Sequence, residues 1–123
     1  MMSKYILIVD DSRLSRMISR QYMLNLHSDW QIDEAGTGEE AIELASANAP
    51  YAILLDLNMP GIGGIETASR IRQTHPGTHI ILLTANVQNS IQIAADKLGV
   101  GFLPKPLKEP QLHALLNGLE SHP

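Results

Sequence analysis

The sequence predicts an α/β fold of (βα)₅ type, a doubly wound sheet of five parallel strands with helices on both faces. Two observations predict it. Five apolar runs alternate along the chain with five amphipathic stretches, which is typical of consecutive strand–helix units. Two of these runs, "AILL" from Ala52 and "IILL" from Ile80, are apolar throughout, as expected of parallel strands that helices cover on both sides.

The five strands are predicted where apolar or alternating residues are bounded by polar or turn-forming residues. The first of them stops abruptly at two adjacent acids, Asp10 and Asp11. The predicted bounds, in chain order, are Tyr5–Val9, Trp30–Glu34, Ala52–Leu55, His79–Leu83 and Gly101–Leu103.

The first helix is predicted to follow Ser12, a residue type that caps helix N-termini well. Its apolar residues at helical spacing are Leu14, Met17, Ile18 and Tyr22. Such a stripe is compatible with packing against the sheet or with a docking surface for a partner protein.

The other helices are predicted from the same spacing and from residues that begin or end helices. Pro76 ends the third helix, Gly99 suits the C-terminus of the fourth, and Pro110 is tolerated in the first turn of the fifth. The predicted bounds are about Glu39–Asn48, Gly64–His75, Gln88–Leu98 and Glu109–Leu119.

Composition limits the classes of protein to consider. A length of 123 residues suits one domain, which we expect to span residues 1–123. The net charge of −4 and the lack of a basic run argue against nucleic-acid binding. The absence of cysteine excludes disulfides and thiolate metal sites and fits a reducing compartment. Because we recognise neither a signal peptide nor a membrane span, we expect a cytoplasmic protein without membrane contact.

Polar residues of complementary charge follow four of the predicted strands. Asp10 and Asp11 follow the first, Asp56 the third, Thr84 ends the fourth run, and Lys105 comes shortly after the fifth. Ligands of open parallel sheets bind at the carboxyl ends of the strands. Each residue alone would pass for a surface residue, but together they predict one site with three carboxylates, a hydroxyl and an ammonium.

In these motifs the chain resembles the response-regulator receiver domains of two-component signalling. The similarity rests on the acid pair at residues 10–11, "DLNMPGIGG" from Asp56, "LLTA" ending at Ala85 and "FLPKP" ending at Pro106. It covers essentially the whole chain. The resemblance implies a flavodoxin-like strand order of 2-1-3-4-5 and a phosphoacceptor function in a two-component system or phosphorelay.

The resemblance also implies roles for the residues of the site. Asp56 would accept the phosphoryl group as nucleophile, and Lys105 would neutralise the phosphoryl oxygens. Mg²⁺ would be held by Asp10, Asp11, Asp56 and the backbone carbonyl of Asn58, since it prefers oxygen ligands. Such a domain would catalyse its own phosphorylation and dephosphorylation without being a metabolic enzyme.

Further implied roles concern the switch and the lifetime of the phosphorylated state. Thr84 would form a hydrogen bond with the phosphoryl group, and Phe102 would move into the space that Thr84 vacates. This movement would alter the face formed by helix 4, strand 5 and helix 5. Phe102 could also be an ordinary core residue of strand 5. Asn58 and Asn86 would flank the water that removes the phosphoryl group, although Asn86 could simply cap helix 4. The resemblance implies a cis bond between Lys105 and Pro106.

The implied partners are a sensor histidine kinase or a histidine phosphotransfer domain and a downstream protein target. Arg13, Leu14 and Met17 are candidate kinase contacts at the start of helix 1. Because Pro123 leaves no room for an output domain, we expect a stand-alone receiver of the chemotaxis type or a phosphorelay shuttle. It would be a monomer or a weak dimer.

Two other functions deserve comparison. An aspartyl-phosphate phosphatase of the haloacid dehalogenase type also uses a strand-end aspartate, but it needs a second aspartate where this chain has Asn58. A dinucleotide-binding module is suggested by "GTGEEA" from Gly36, which fits G-x-G-x-x-A. That pattern normally follows the first strand of its fold, whereas here it follows the second.

Overall fold

The computed structural model of the chain describes residues 4–85 and 89–121. Over these residues five strands and five helices alternate, and the strands form one parallel sheet in the order β2-β1-β3-β4-β5. The predicted fold class and strand order are therefore confirmed. The strands are β1 Tyr5–Val9, β2 Gln31–Ala35, β3 Ala52–Asp56, β4 His79–Thr84 and β5 Gly101–Pro104. The helices are α1 Arg13–Leu26, α2 Gly38–Ala47, α3 Gly63–Thr74, α4 Asn89–Leu98 and α5 Glu109–Ser121.

Four strands end one residue later than predicted, namely β2 at Ala35, β3 at Asp56, β4 at Thr84 and β5 at Pro104, and β2 also begins one residue later, at Gln31. Asp56, Thr84 and Pro104 continue the parallel ladders, in which Asp56 pairs with Leu83 and Thr84 pairs with Pro104. Asp56, Thr84 and Pro104 interrupt the apolar runs from which the bounds are predicted, whereas a ladder depends on the pairing of the backbone. Two polar residues of the predicted site therefore stand on the rigid sheet itself.

Helix boundaries follow the local capping groups. Ser12 is the N-cap of α1, as predicted, and its hydroxyl accepts a hydrogen bond from the backbone N–H of Ser15. Thr37 caps α2 in the same way through the N–H of Glu40. Gly99, with a φ of 66°, follows α4. The predicted start of α4 at Gln88 lies outside the described residues.

The sheet separates two apolar layers, and alternate residues of each strand face opposite layers. In β1, Ile6 and Ile8 pack with the layer that α1 and α5 cover. Leu7 and Val9 pack with the layer that α2, α3 and α4 cover. These four residues are buried, and each contributes about 1.5–3 kcal/mol of burial free energy. The acids that follow β1 are thus held on a strand that has little freedom to move.

Two glycines allow close packing around the site. A Cβ on Gly64 would come within 2.7 Å of the Asp56 carbonyl oxygen, so this glycine lets α3 begin directly beside the end of β3. A Cβ on buried Gly38 would collide with the hydroxyl of Thr67, so this glycine lets α2 pack against α3. The "GTGEEA" pattern therefore has a packing explanation.

The stripe of apolar residues on α1 divides between the core and the surface. Leu14, Met17 and Ile18 are 66%, 55% and 41% exposed. Tyr22 packs against the core, while Ser19 and Met23 are buried. Most of the stripe is therefore not core, and of the two interpretations left open by the sequence the structure favours an exposed apolar surface. Across residues 4–85 and 89–121, no helix combines the length and hydropathy that a bilayer crossing requires.

Candidate functional site

The acid pair follows β1 in a turn whose polar groups are hydrogen bonded. The Asp10 N–H donates to the Ala35 carbonyl of β2 at 3.0 Å. The Asp10 Oδ1 accepts a hydrogen bond from the Ser12 N–H at 2.9 Å. Asp10 is only 3% exposed, whereas Asp11 is exposed. The turn therefore holds one carboxylate inward and leaves the other near solvent.

Asp56 ends β3 at the same edge of the sheet. Its side chain is 2% exposed, and its Oδ1 accepts a hydrogen bond from the Asn58 N–H at 3.2 Å. The Leu57 N–H donates to the Leu83 carbonyl at 2.9 Å, which ties this loop to β4. One oxygen of Asp56 is thus held by the backbone, while the residue remains at the mouth of the site.

Lys105 brings a positive charge to these acids. Its Nζ lies 2.9 Å from the Asp56 Oδ1 and 4.0 Å from the Asp10 Oδ2. Its N–H donates to the Thr84 carbonyl at 2.7 Å, which fixes the residue to the end of β4. The bond between Lys105 and Pro106 is cis, as expected.

Oxygen atoms of Asp10, Asp11 and Asp56 all lie within 4.8 Å of one another. The Asp10 Oδ2 is buried and has no hydrogen-bond partner among the described residues. A buried carboxylate oxygen without a donor is costly, and a cation would remove that cost. The three carboxylates therefore fit a small hard dication such as Mg²⁺.

Burial raises the pKa of the Asp10 carboxyl above its ordinary value. The Ser12 N–H opposes this shift, the negative charge of Asp56 adds to it, and Lys105 opposes it. The net direction means that ionised Asp10 is disfavoured in the metal-free protein, which is a further reason for a cation to bind beside it.

The two residues of the implied switch lie near one another on adjacent strands. Thr84 is fully buried at the end of β4. Phe102 of β5 pairs with Leu82 and packs in the same apolar layer, and Thr84 follows Leu82 by two residues, so both face that layer. Phe102 also lines a cavity of about 220 Å³ beside α4, together with Gln92 and Val100.

Of the two asparagines predicted to flank the attacking water, Asn58 lies in the described part of the chain. The side chain of Asn58 is exposed beside Asp56, so it stands at the mouth of the site. Asn86 lies outside the described residues.

The candidate kinase contacts form a surface beside the acid turn. Arg13, Leu14 and Met17 are all exposed on the first turns of α1. Next to them a largely apolar groove of about 540 Å³ separates α1 from the loop after β5, and Ile18 and Pro106 stand on its two sides. Lys105 also lines this groove, so the groove leads into the acidic site.

Two further residues near the acid turn, Arg16 and Glu34, were not predicted from the sequence. Arg16 contacts the turn, and Glu34 contacts Arg16. The Arg16 Nη1 donates to the Asp10 carbonyl oxygen at 2.7 Å, and its Nε donates to the Glu34 Oε1 at 2.9 Å. No local signal marks them, because one lies on α1 and the other on β2.

A sequence model of the family described as "Response regulator receiver domain" matches residues 6–117. The chain is 35% identical over 113 residues to the chemotaxis protein CheY of Halobacterium salinarum, covering 90% of this chain and 92% of the relative. It is 38% identical over 106 residues to the transcriptional regulatory protein SrrA of Staphylococcus aureus, covering 85% of this chain and 43% of SrrA. The chain therefore spans most of one relative and less than half of the other.

Solved structures of similar fold include a chemotaxis protein. The chemotaxis protein CheY4 of Vibrio cholerae superposes with a TM-score of 0.86 at 25% identity, covering 95% of this chain and 98% of the other. The N-terminal domain of an uncharacterised protein from Wolinella succinogenes superposes with a TM-score of 0.83 at 30% identity, covering 98% and 95%. The arrangement of strands and helices thus belongs to a known fold.

Proposed function

The chain belongs to the response-regulator receiver family of two-component signalling, and on that premise we propose that Asp56 accepts a phosphoryl group from a phosphohistidine. The observation that carries the proposal is the position of the Asp56 carboxylate. It ends β3 with the Lys105 ammonium 2.9 Å away and with Asp10 and Asp11 beside it. We also propose that residues 1–123 form one receiver domain, and the presence of every described strand in the same sheet supports this.

The proposed transfer is an in-line displacement at phosphorus. A carboxylate oxygen of Asp56 forms the new O–P bond while the N–P bond of the phosphohistidine breaks, and the released imidazole takes a proton from solvent. Lys105 stands where its ammonium can pair with the phosphoryl oxygens, and so offsets negative charge as the group arrives. The contacts of the Asp56 carboxylate with the Lys105 ammonium and the Asn58 N–H support a nucleophile that is oriented before the phosphodonor binds.

Mg²⁺ is the cofactor that fits this site. Asp10, Asp11 and Asp56 would hold it together with the Asn58 carbonyl, and waters would complete an octahedron. When bound, the ion neutralises charge on the carboxylates and on the transferring group. The unpartnered, buried Oδ2 of Asp10 supports this assignment.

The proposed output is a rearrangement of the face formed by α4, β5 and α5. Phosphorylated Asp56 would draw the Thr84 hydroxyl toward the phosphoryl oxygens, and Phe102 would move toward the space that is released. The hydrogen bond from the Lys105 N–H to the Thr84 carbonyl supports this coupling, because it links the phosphate-binding lysine to the switch residue. Once bound to the phosphorylated face, a downstream protein would receive the signal.

The proposed phosphodonor is a sensor histidine kinase or a histidine phosphotransfer domain. It would dock on Arg13, Leu14 and Met17, whose exposure beside the acidic site supports the assignment. We place the reaction in the cytoplasm, as expected for a receiver-family chain without cysteine. The net charge of −4 favours protein partners over DNA for this domain, and we propose that it acts as a monomer or a weak dimer.

The direct test is phosphorylation by a small phosphodonor. Intact-mass spectrometry after incubation with acetyl phosphate and Mg²⁺ is expected to detect one added phosphoryl group on the wild type and none on Asp56→Asn. Asp29→Asn, at an exposed acid outside the site, is the matched control and should be labelled like the wild type. Equal labelling of wild type and Asp56→Asn would remove Asp56 as the acceptor.

A further inference from the structure

The contact between Arg16 and Glu34 lies next to the acid pair. The Arg16 guanidinium makes two hydrogen bonds with different nitrogens, from Nη1 to the Asp10 carbonyl at 2.7 Å and from Nε to the Glu34 carboxylate at 2.9 Å. Its side chain is 19% exposed and that of Glu34 is 25% exposed. The planar guanidinium has fixed donor directions, so the two contacts together define where it lies.

The carbonyl that Arg16 binds belongs to the peptide joining Asp10 to Asp11. The orientation of this peptide plane sets the direction in which Asp11 leaves the turn. The Asp10 N–H and Oδ1 are already bonded, to Ala35 and to the Ser12 N–H. The Arg16 contact fixes the remaining backbone group of Asp10, so the turn between the two acids is held from both sides.

The Arg16–Glu34 pair adds little net charge beside the acids, so we infer that Arg16 acts through the position of its hydrogen bonds. A lone positive charge beside the acids would relieve their repulsion but would also oppose a dication. Glu34 pairs with Arg16 and therefore offsets its charge. Burial raises the pKa of Glu34, but the hydrogen bonds from Arg20 and Arg16 outweigh burial and the net pKa is lowered, so Glu34 is ionised at neutral pH.

We propose that Arg16, held by Glu34, is a positioning residue that orients the Asp10–Asp11 turn for divalent-cation binding. The inference rests on the proposed function, because it assumes that the acid pair binds Mg²⁺. Arg16 itself does not contact the ion; it acts through the backbone of Asp10. Residues that orient metal ligands from behind typically change metal affinity by about 10–100-fold when they are replaced.

Arg20 provides a matched control within the same cluster. Its Nε binds the other oxygen of Glu34 at 2.8 Å, but its Nη2 donates to the Ile32 carbonyl, away from the acid turn. Both arginines lie on α1 and share one carboxylate. Only Arg16 contacts the turn, so only its replacement should alter the metal site.

The test is calorimetric titration with Mg²⁺ alone, on the full chain, for wild type, Arg16→Gln, Arg16→Lys and Arg20→Gln. We expect the dissociation constant to rise about tenfold in Arg16→Gln and to change by less than about twofold in Arg20→Gln. Arg16→Lys should not restore affinity, since an ammonium cannot donate in both fixed directions. Urea unfolding without metal reports separately on stability.

A second measurement separates positioning from a general loss of structure. In Arg16→Gln, the Mg²⁺ concentration that gives half-maximal labelling by acetyl phosphate should rise about tenfold, while the rate at saturating Mg²⁺ returns to that of the wild type. Equal affinity in wild type and Arg16→Gln, or equal losses in Arg16→Gln and Arg20→Gln, would overturn the inference. If Arg16→Gln does not fold, the same criteria apply to Arg16→Lys. Failure of the wild type to bind Mg²⁺ would instead contradict the proposed function.

Discussion

The Lys105 ammonium lies 2.9 Å from the Asp56 Oδ1 across the end of the strand that separates them. Asp56 ends β3, Lys105 follows β5, and β4 runs between these two strands. The lysine therefore connects a buried carboxylate to a strand that is not its neighbour. This contact neutralises charge in the metal-free protein and places a cation where a phosphoryl group would arrive.

Replacing Lys105 with Gln is expected to destabilise the metal-free protein. Removing one partner of a buried pair costs about 3–5 kcal/mol, and we expect about 1–2 kcal/mol here because the lysine side chain is 28% exposed. Urea unfolding measures the change, and saturating Mg²⁺ should recover part of it. Lys97→Gln, at an exposed lysine of α4, should stay within about 0.5 kcal/mol of the wild type; equal changes in both variants would contradict the prediction.

Asp11→Asn is expected to abolish the stabilisation by Mg²⁺ without destabilising the metal-free fold. The three carboxylates repel one another without a cation, so the variant should be at least as stable as the wild type in chelator. Wild type should gain about 1.4 kcal/mol at Mg²⁺ tenfold above its dissociation constant, and the variant should gain almost none. Thermal melts with and without Mg²⁺ measure both effects. Asp29→Asn should retain the full response, and an undiminished response in Asp11→Asn would count against this ligand.

The raised pKa of Asp10 predicts a pH dependence with a definite sign. Between the unfolded and the higher folded pKa, the folded state binds more protons, so this group makes stability fall as pH rises through that window. Asp10→Asn removes this contribution. In chelator, the variant should melt a few °C above the wild type at pH 7 (about 4–8 °C per kcal/mol for a small domain), and the difference should shrink toward pH 4. A difference that does not depend on pH would contradict the assignment.

The exposed apolar residues of α1 predict that a substitution there slows phosphotransfer from a histidine kinase but not from a small phosphodonor. Leu14→Gln should slow phosphotransfer from a phosphorylated histidine kinase by about tenfold, which corresponds to about 1.4 kcal/mol of lost contact. Labelling by acetyl phosphate should not change, since this small donor needs no docking surface. The control is Ile93→Gln, at a residue of α4 that is 53% exposed. Equal slowing with both donors would indicate damage to the site rather than to docking.

Asn86 supports a prediction that stands on the sequence alone. It follows Thr84 by two residues, a position that flanks the approach of water in the family. A lysine there could cover the phosphoryl group, so Asn86→Lys should slow the loss of phosphate after the donor is removed. Decay of the phosphorylated protein measures the effect. Matching decay in folded, Mg²⁺-saturated wild type and variant would leave Asn86 with a capping role only.

Much of the site could be predicted from the sequence because its residues follow strands that parallel pairing must align. The apolar runs identify the strands, and the carboxyl ends of parallel strands meet at one edge. Asp10 and Asp56, at the ends of β1 and β3, are therefore brought together by topology. Helix termini at Ser12 and Gly99 were predictable for a similar reason, since capping depends on a few consecutive residues.

The sequence by itself thus determined the order of elements, the fold class and the residues that gather at the sheet edge. The tertiary structure decided which side of α1 meets the core: spacing reveals an apolar stripe, but only packing shows that Leu14 and Met17 stay exposed. It also decided that Arg16 joins Glu34 to the Asp10 carbonyl. That contact combines groups from α1, β2 and the turn after β1, and their distance depends on how separate elements pack, which no local pattern encodes.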